Sequence, residues 1–333
     1  MPVTIKGIAR QLHLNPSTVS RALSGNPQVS EDTRAKVIKA ARRLNYHPNY
    51  WAQNLVGAVS NLIGCLTLDL SNPFYIPMVR AVEDVAEQKK YMVFLSESRR
   101  QIEVEKAILE RFRRIRIAGL IITPVHGNTD HLYCLENDGV PVVIAGRNLA
   151  GFDSINIDNI QSGFLAGQYL IQNGHRKIGY IYSGDPANIP EQQRLQGLIQ
   201  ALHETSLETK TIYKSLTNNI AGGERAAEMW FNDFDRPTAV FCYNDLLAMG
   251  FIQQVIKMGA RVPQEVSVIG HDDIMFADTF FVPITTIVFP KYELGQLAMT
   301  LLIERINQLG KKHDPQTIAL KPSIIVRNSC IGI

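Results

Sequence analysis

The 333-residue sequence predicts an α/β protein, with an all-α head at the N-terminus joined by a short hinge helix to a two-lobed body built on parallel sheets. Three observations predict it. Residues Thr4 to Gly57 carry three short amphipathic patterns at helical spacing, packed into a basic stretch. After Gly57, short apolar runs alternate with longer amphipathic stretches, which marks β/α units. That cycle halts near residue 160 and starts afresh, so two lobes follow the head.

The first head helix begins at Thr4, a good N-cap, and places Ile5, Ile8, Ala9 and Leu12 on one face. A break follows at His13 and Leu14. Asn15 offers a second cap with Pro16 at the first helical position, where its missing N–H is no loss, and Val19, Ala22 and Leu23 form the inward stripe. The polar face of that second helix carries Ser17, Thr18, Ser20 and Arg21, short hydrogen-bonding groups beside one guanidinium able to read a guanine edge in a major groove. Gly25, Asn26 and Pro27 mark a loop. Ser30 then caps a third helix whose first turn holds Glu31 and Asp32, with Val37, Ile38, Ala41 and Leu44 as its apolar set.

Charge separates the head from the rest. Up to Gly57 there are eight Lys and Arg residues against Glu31 and Asp32, a net +6, whereas the whole chain is +3 and the remainder therefore −3. A cationic module on a mildly acidic body is the electrostatic footprint of a duplex binder, because phosphate neutralisation supplies most non-specific affinity. The helical pattern alone would also fit an ordinary three-helix bundle.

The run from Thr4 to Asn49, with Thr18-Val19-Ser20-Arg21 at its centre, resembles the head of the LacI/GalR (lactose-repressor-like) transcriptional regulators, and the likeness extends over essentially the whole chain. The resemblance implies a head over 1–48 and a hinge helix over 49–57 that orders on operator DNA and wedges Leu55 into the minor groove. DNA contacts are then expected from Thr4, Pro16, Ser17, Thr18, Ser20, Arg21, Asn49, Ala52 and Leu55. The hinge chemistry is sensible: Asn49 can cap, and a helix of about two turns is too short to stand alone in water. Leu55 and Val56 also fit a plain linker.

In the body, Leu62 to Leu66, Met92 to Leu95, Gly119 to Ile122 and Pro141 to Ile144 read as strands of the first lobe. Ile178 to Tyr182, Ala239 to Cys242 and Val266 to Ile269 read as strands of the second, with helices near Ser162 to Gln172, Glu191 to His203 and Leu246 to Met258. Their continuous apolar character means that both sheet faces are covered, as in parallel sheets. The resemblance implies a periplasmic-binding-protein-like body in which the chain crosses between lobes three times, near Asp158 to Gln161, Val288 to Lys291 and Leu320 to Ser323. The lobes are then 61–160 with 290–321, and 161–289 with 322–333.

Ligands of open α/β sheets bind at the carboxyl ends of strands. That rule, with the family pattern, selects Asn72, Phe74 and Tyr75 after the first strand, Arg147 after the fourth, Arg194 in an R-x-x-G run with Gly197, Asn244, and Asp272. Phe74 suits the apolar face of a sugar ring, and the planar forks of Arg147 and Arg194 suit paired hydroxyls or a carboxylate. Asn244 and Asp272 are placed on ligand hydroxyls, Asp245 as a helix N-cap and Asp273 in a turn. Phe289 stands where the family usually has an amide, and His271 where it has Phe or Tyr. These departures fit a larger or partly apolar sugar derivative, or a repacked cleft.

Other classes are disfavoured. No dinucleotide fingerprint, nucleophile elbow or phosphate loop follows a strand, so neither a catalytic residue nor a cofactor is expected. Cys65, Cys134, Cys242 and Cys330 lack metal-ligand spacing and read as buried or free thiols. No apolar run approaches the ~20 residues of a membrane span. The N-terminus runs directly into a capped helix, unlike a secretory leader, which predicts a cytoplasmic protein rather than a secreted sugar receptor. The last strand is followed by no leucine-heptad tail, so the expected assembly is a homodimer on a palindromic operator.

Overall fold

The computed structural model describes residues 4–23, 26–46, 60–205, 211–311 and 313–333. The chain forms two compact units, Met1–Ser60 and Asn61–Ile333. The hinge expected over 49–57, with Asn49, Ala52 and Leu55, lies outside the described residues.

The head holds α1 (Ile5–Leu12), α2 (Pro16–Leu23) and α3 (Glu31–Arg43). Its caps follow the sequence: the Gly7 N–H donates to Thr4 Oγ1 at 3.2 Å, Ser17 N–H to Asn15 Oδ1 at 3.0 Å and Thr33 N–H to Ser30 Oγ at 3.4 Å. His13, at φ 52°, ends α1 in the left-handed conformation and opens the turn into α2. Ile8, Ala9, Val19, Ala22, Val29, Val37, Ala40 and Ala41 close a small core. Ile38 departs from expectation. It is 36% exposed, because the inward stripe of α3 runs through Val37, Ala40 and Ala41.

The body contains two six-stranded sheets. The first comprises β1 (Leu62–Thr67), β2 (Met92–Glu97), β3 (Gly119–Ile122), β4 (Val142–Ala145), β5 (Asp153–Ile157) and a late strand, β11 (Thr317–Leu320), in the order β11-β5-β4-β3-β1-β2, all parallel. Its helices are α4 (Tyr75–Gln88), α5 (Ile102–Ile115), the short α6 (Tyr133–Asn137) and, from far along the chain, α11 (Lys291–Asn307). Parallel pairing explains why β1, β3 and β4 read as unbroken apolar runs: every residue of each is buried.

The second sheet holds β6 (Ile178–Tyr182), β7 (Thr211–Lys214), β8 (Ala239–Cys242), β9 (Ser267–Asp272), β10 (Thr285–Val288) and β12 (Ser323–Ile325), in the order β12-β10-β9-β8-β6-β7. Here β12 runs antiparallel to β10, the exception to the expected parallel pattern. A chain returning from β11 across the short connection after Leu320 enters the second sheet from the opposite end. The covering helices are α7 (Asn159–Gln172), α8 (Ile189–His203), α9 (Ile220–Phe231) and α10 (Asp245–Lys257).

One buried ion pair joins distant parts of the first lobe. Asp153 on β5 accepts two hydrogen bonds from Arg305 of α11, at 2.6 and 2.9 Å, and a third from the Gln316 N–H ahead of β11 at 2.8 Å. Burial alone would push the Asp153 carboxyl up, but Arg305 and the backbone donor outweigh it and hold the group below its ordinary value.

Candidate effector cleft

All eight cleft residues singled out from the sequence line one cavity between the sheets: Asn72, Phe74, Tyr75, Arg147, Arg194, Asn244, Asp272 and Phe289. Seven of them end or follow a strand at the carboxyl edge of its sheet, and Arg194 comes from the second turn of α8. The cavity measures about 70 Å³, well below the ~300–1,000 Å³ common for small-molecule sites. A sugar would enter only as the lobes part.

Three aromatic rings form the apolar side. Phe74 packs edge-on against Tyr75 at 5.1 Å and against Phe289 at 5.0 Å between ring centroids. The Phe289 ring is only 3% exposed and fills part of the cleft. Asn72 turns its Oδ1 inward to accept the Phe74 N–H at 3.0 Å, which sets the entry to α4.

The two arginines come from opposite lobes. Arg147, after β4, donates to the Val125 carbonyl at 3.2 Å and has a buried Nε without a partner. Arg194, on α8, donates from Nε to Asn159 Oδ1 at 2.9 Å and from an NH to the Tyr243 carbonyl, with its guanidinium carbon 4.4 Å from the Tyr243 ring centre. Its position depends on the glycine three residues on. A Cβ on Gly197 would lie 1.9 Å from the Ile160 carbonyl oxygen, and one on Gly163 would lie 1.9 Å from that of Arg194, so only glycines let α7 and α8 approach this closely. Gly197→Val should therefore force the helices apart and cost ~3 kcal/mol, lowering the melting temperature by roughly 5–10 °C. An unchanged melt in differential scanning calorimetry would show that the helix pair yields without loss.

The acidic pair at the end of β9 is split between two environments. Asp272 and Asp273 both have positive φ, 107° and 53°, a strained conformation for residues with a Cβ. Lys291, at the start of α11, holds that turn by donating to the carbonyls of Asp272, Asp273 and Phe289. Asp273 accepts from Arg327 at 2.8 Å, while Asp272 Oδ1 lies 2.8 Å from His271 Nδ1. Burial, and then the charge of Arg194, push His271 down to about 4, so the ring is neutral at pH 7.

Asp245 is a correction to the sequence reading. It is not the N-cap of α10; Asn244 is, accepting the Leu247 N–H at 2.9 Å and donating its amide to the Asn218 carbonyl at 3.0 Å. A capping residue must be non-helical, and Asn244 has that backbone, at φ −146° and ψ 171°. Asp245 instead points into the lobe, where Gly270 leaves room for its carboxyl. There it accepts from Thr286 Oγ1 at 2.6 Å and the Ile274 N–H at 2.8 Å. Burial, and then the neighbouring charge of Asp272, push it up to about 8.

The cleft also gathers Arg100, Thr123, His126 and Tyr243, which the sequence reading did not select. Thr123 and His126 follow β3, so the strand-end rule applied to that strand points to them. His126 Nδ1 comes within 3.5 Å of Asp185 Oδ2 on the second lobe. Burial, and then the charge of Arg147, lower the His126 pKa.

Residues 4–49 match the model for bacterial regulatory proteins of the lacI family, and residues 168–330 the periplasmic binding protein-like domain. The chain is 35% identical to the HTH-type transcriptional repressor PurR of Photorhabdus laumondii, over 98% of its own length and 97% of that protein's. The chain belongs to the LacI family. It is accordingly a DNA-binding transcriptional regulator and not an enzyme. Among solved structures, the lac repressor dimer bound to operator and the anti-inducer ONPF matches with a TM-score of 0.86 and 26% identity, over 99% of this chain and 100% of that one. The complex of the regulator CelR with cellobiose matches with a TM-score of 0.71 and 27% identity, over 98% and 99% of the two chains. As a LacI-family regulator, this chain presents Pro16, Ser17 and Arg21 on the exposed face of α2, with Thr18 and Ser20 half-buried beside them. No helix among the described residues is long and apolar enough to cross a membrane.

Proposed function

We infer that this LacI-family chain is a cytoplasmic repressor that binds a palindromic operator as a homodimer and is controlled by a small, sugar-like effector held between its lobes. The observation that carries this reading is the shared cavity: Asn72, Phe74, Tyr75 and Arg147 reach it from one lobe, Arg194, Asn244 and Asp272 from the other, and Phe289 from the crossing between them. A ligand contacting both sets changes the angle between lobes, and residues 61–160 with 290–321 are the lobe that follows the DNA-binding segment in sequence. The complex of CelR with cellobiose supports a carbohydrate-like ligand. Thr4, Pro16, Ser17, Thr18, Ser20 and Arg21 are assigned to DNA.

Dimerisation is supported by β2, the outer strand of the first sheet. Its Met92, Phe94 and Leu95 are 48%, 38% and 40% exposed. Neighbouring strand residues point to opposite faces, so the adjacent Phe94 and Leu95 expose apolar surface on both sides of this edge. A second copy would cover it.

The test is operator binding by the full-length chain, on a duplex selected from a random pool, with and without sugars and sugar acids found by thermal-shift screening. The effector should change operator affinity by roughly 5–150-fold, the usual range of allosteric coupling. Asp272→Ala should remove that response while leaving binding without effector nearly intact, because the head is unchanged. A variant that still responded fully at the same ligand concentration would place the effector elsewhere.

A further inference from the structure

The charges facing the cleft constrain its ligand further, given the reading of this cleft as the effector site. Arg147 is 8% exposed, yet its described hydrogen-bond partner is a single neutral carbonyl, and its Nε has none. The Thr123 hydroxyl beside it, also 8% exposed, is likewise unpartnered. Arg194, 4% exposed, bonds only to an amide oxygen and a carbonyl among the described residues. The carboxylate whose charge acts on Arg147 is Glu105, but its oxygens are already taken by the Val125 N–H and by His131, each at 2.7 Å. On the other lobe, Asp272 is bonded to His271 and has the Lys291 ammonium on its own carbonyl.

Two guanidiniums from opposite lobes thus line one small cavity with neutral hydrogen-bond partners. Burying such a group without a charged hydrogen-bond partner is costly. An anion in the cavity would supply that partner, and guanidinium forks bind phosphate or carboxylate oxygens in pairs.

We propose that the effector carries an anionic group, phosphate or carboxylate, held between Arg147 and Arg194 with the Thr123 hydroxyl as a further donor. Its less polar part packs on Phe74 and Phe289, and its hydroxyls reach Asp272. The anion is the tie that closes the lobes.

Inorganic phosphate and acetate are titrated calorimetrically into the full-length chain at fixed ionic strength. The variants are Arg147→Met, Arg147→Lys and Arg194→Met, with Lys106→Gln, an exposed lysine on α5, as a control for simple loss of charge. Wild type should bind one of the anions saturably. Either methionine variant should weaken binding roughly 10–100-fold, as expected for charge-assisted hydrogen bonds. Arg147→Lys should keep part of it, and Lys106→Gln all of it. Phosphate binding without acetate binding identifies a phosphoryl group, and the converse a carboxylate. Glucose is then compared with glucose 6-phosphate and gluconate; an anionic member should bind more tightly, and Arg147→Met should erase the difference. No saturable anion site, or one that both methionine variants retain, overturns the proposal. A neutral sugar whose tight binding is lost in Asp272→Ala but indifferent to Arg147→Met overturns the anionic group alone and leaves the cleft as the effector site.

Discussion

Operator affinity is expected to fall roughly 10³–10⁵-fold as salt rises from about 50 to about 200 mM, the loss for a protein making about 6–10 phosphate contacts. The cause is local. The segment up to Gly57 carries a net +6 on a chain whose total is only +3, so the counterions released on binding come from the head. Sequence preference should behave differently. Arg21→Ala, on the exposed face of α2, should lower the salt slope slightly and flatten discrimination at one base step by ~1–3 kcal/mol. Fluorescence anisotropy on specific and scrambled duplexes across a salt series separates the two effects. A salt-independent affinity would remove the head from DNA binding, and an unchanged base preference would remove Arg21 from base reading.

The largest stability effect is expected at Asp153. Its partner Arg305 has a side chain 5% exposed, and Asp153 itself 3%, so Asp153→Ala leaves a buried guanidinium unpaired, at a cost of ~3–5 kcal/mol. The double variant Asp153→Leu with Arg305→Leu should recover most of that loss, because two apolar side chains carry no desolvation penalty. The pH dependence follows from the lowered carboxyl pKa. A carboxylate depressed in the folded state contributes stability above its unfolded value, near 3.8, and loses it as pH falls through the folded value. Urea melts of wild type and both variants at neutral pH and in acid test this. A single variant as stable as wild type would show that the pair is decorative.

Much of the cleft was legible because strand ends are legible. Unbroken apolar runs locate β1, β4, β8 and β9, and the polar residues just beyond them, Asn72, Arg147, Asn244 and Asp272, fall at the cleft in a parallel sheet. Thr123 and His126 obey the same rule after β3, but neither belongs to a motif that draws the eye. Tyr243 was hidden for another reason: its ring serves Arg194, a residue 49 positions away. The strands β5, β7, β10, β11 and β12 were not legible. β7 and β12 are sheet edges, and β5 mixes Asp153, Ser154 and Asn156 into its pattern: Asp153 is met by Arg305, far along the chain, and the Ser154 hydroxyl by the nearby Leu149 and Phe152 carbonyls.

Helix starts, strand runs, the charge of the head and the glycine of the R-x-x-G run are written in the chain, because each depends on neighbours within a few residues. Thr4, Asn15 and Ser30 cap their helices whatever the body does. The choice between Asn244 and Asp245 as cap was not written there. Both side chains can cap, and the outcome rests on the space beside Gly270 and on Thr286, 41 residues further along the chain. The pairing of Asp153 with Arg305 and the meeting of Arg147 and Arg194 at one cavity have the same origin. Burial makes each polar group seek its partner in space, and which partner lies within reach is set by how the layers stack.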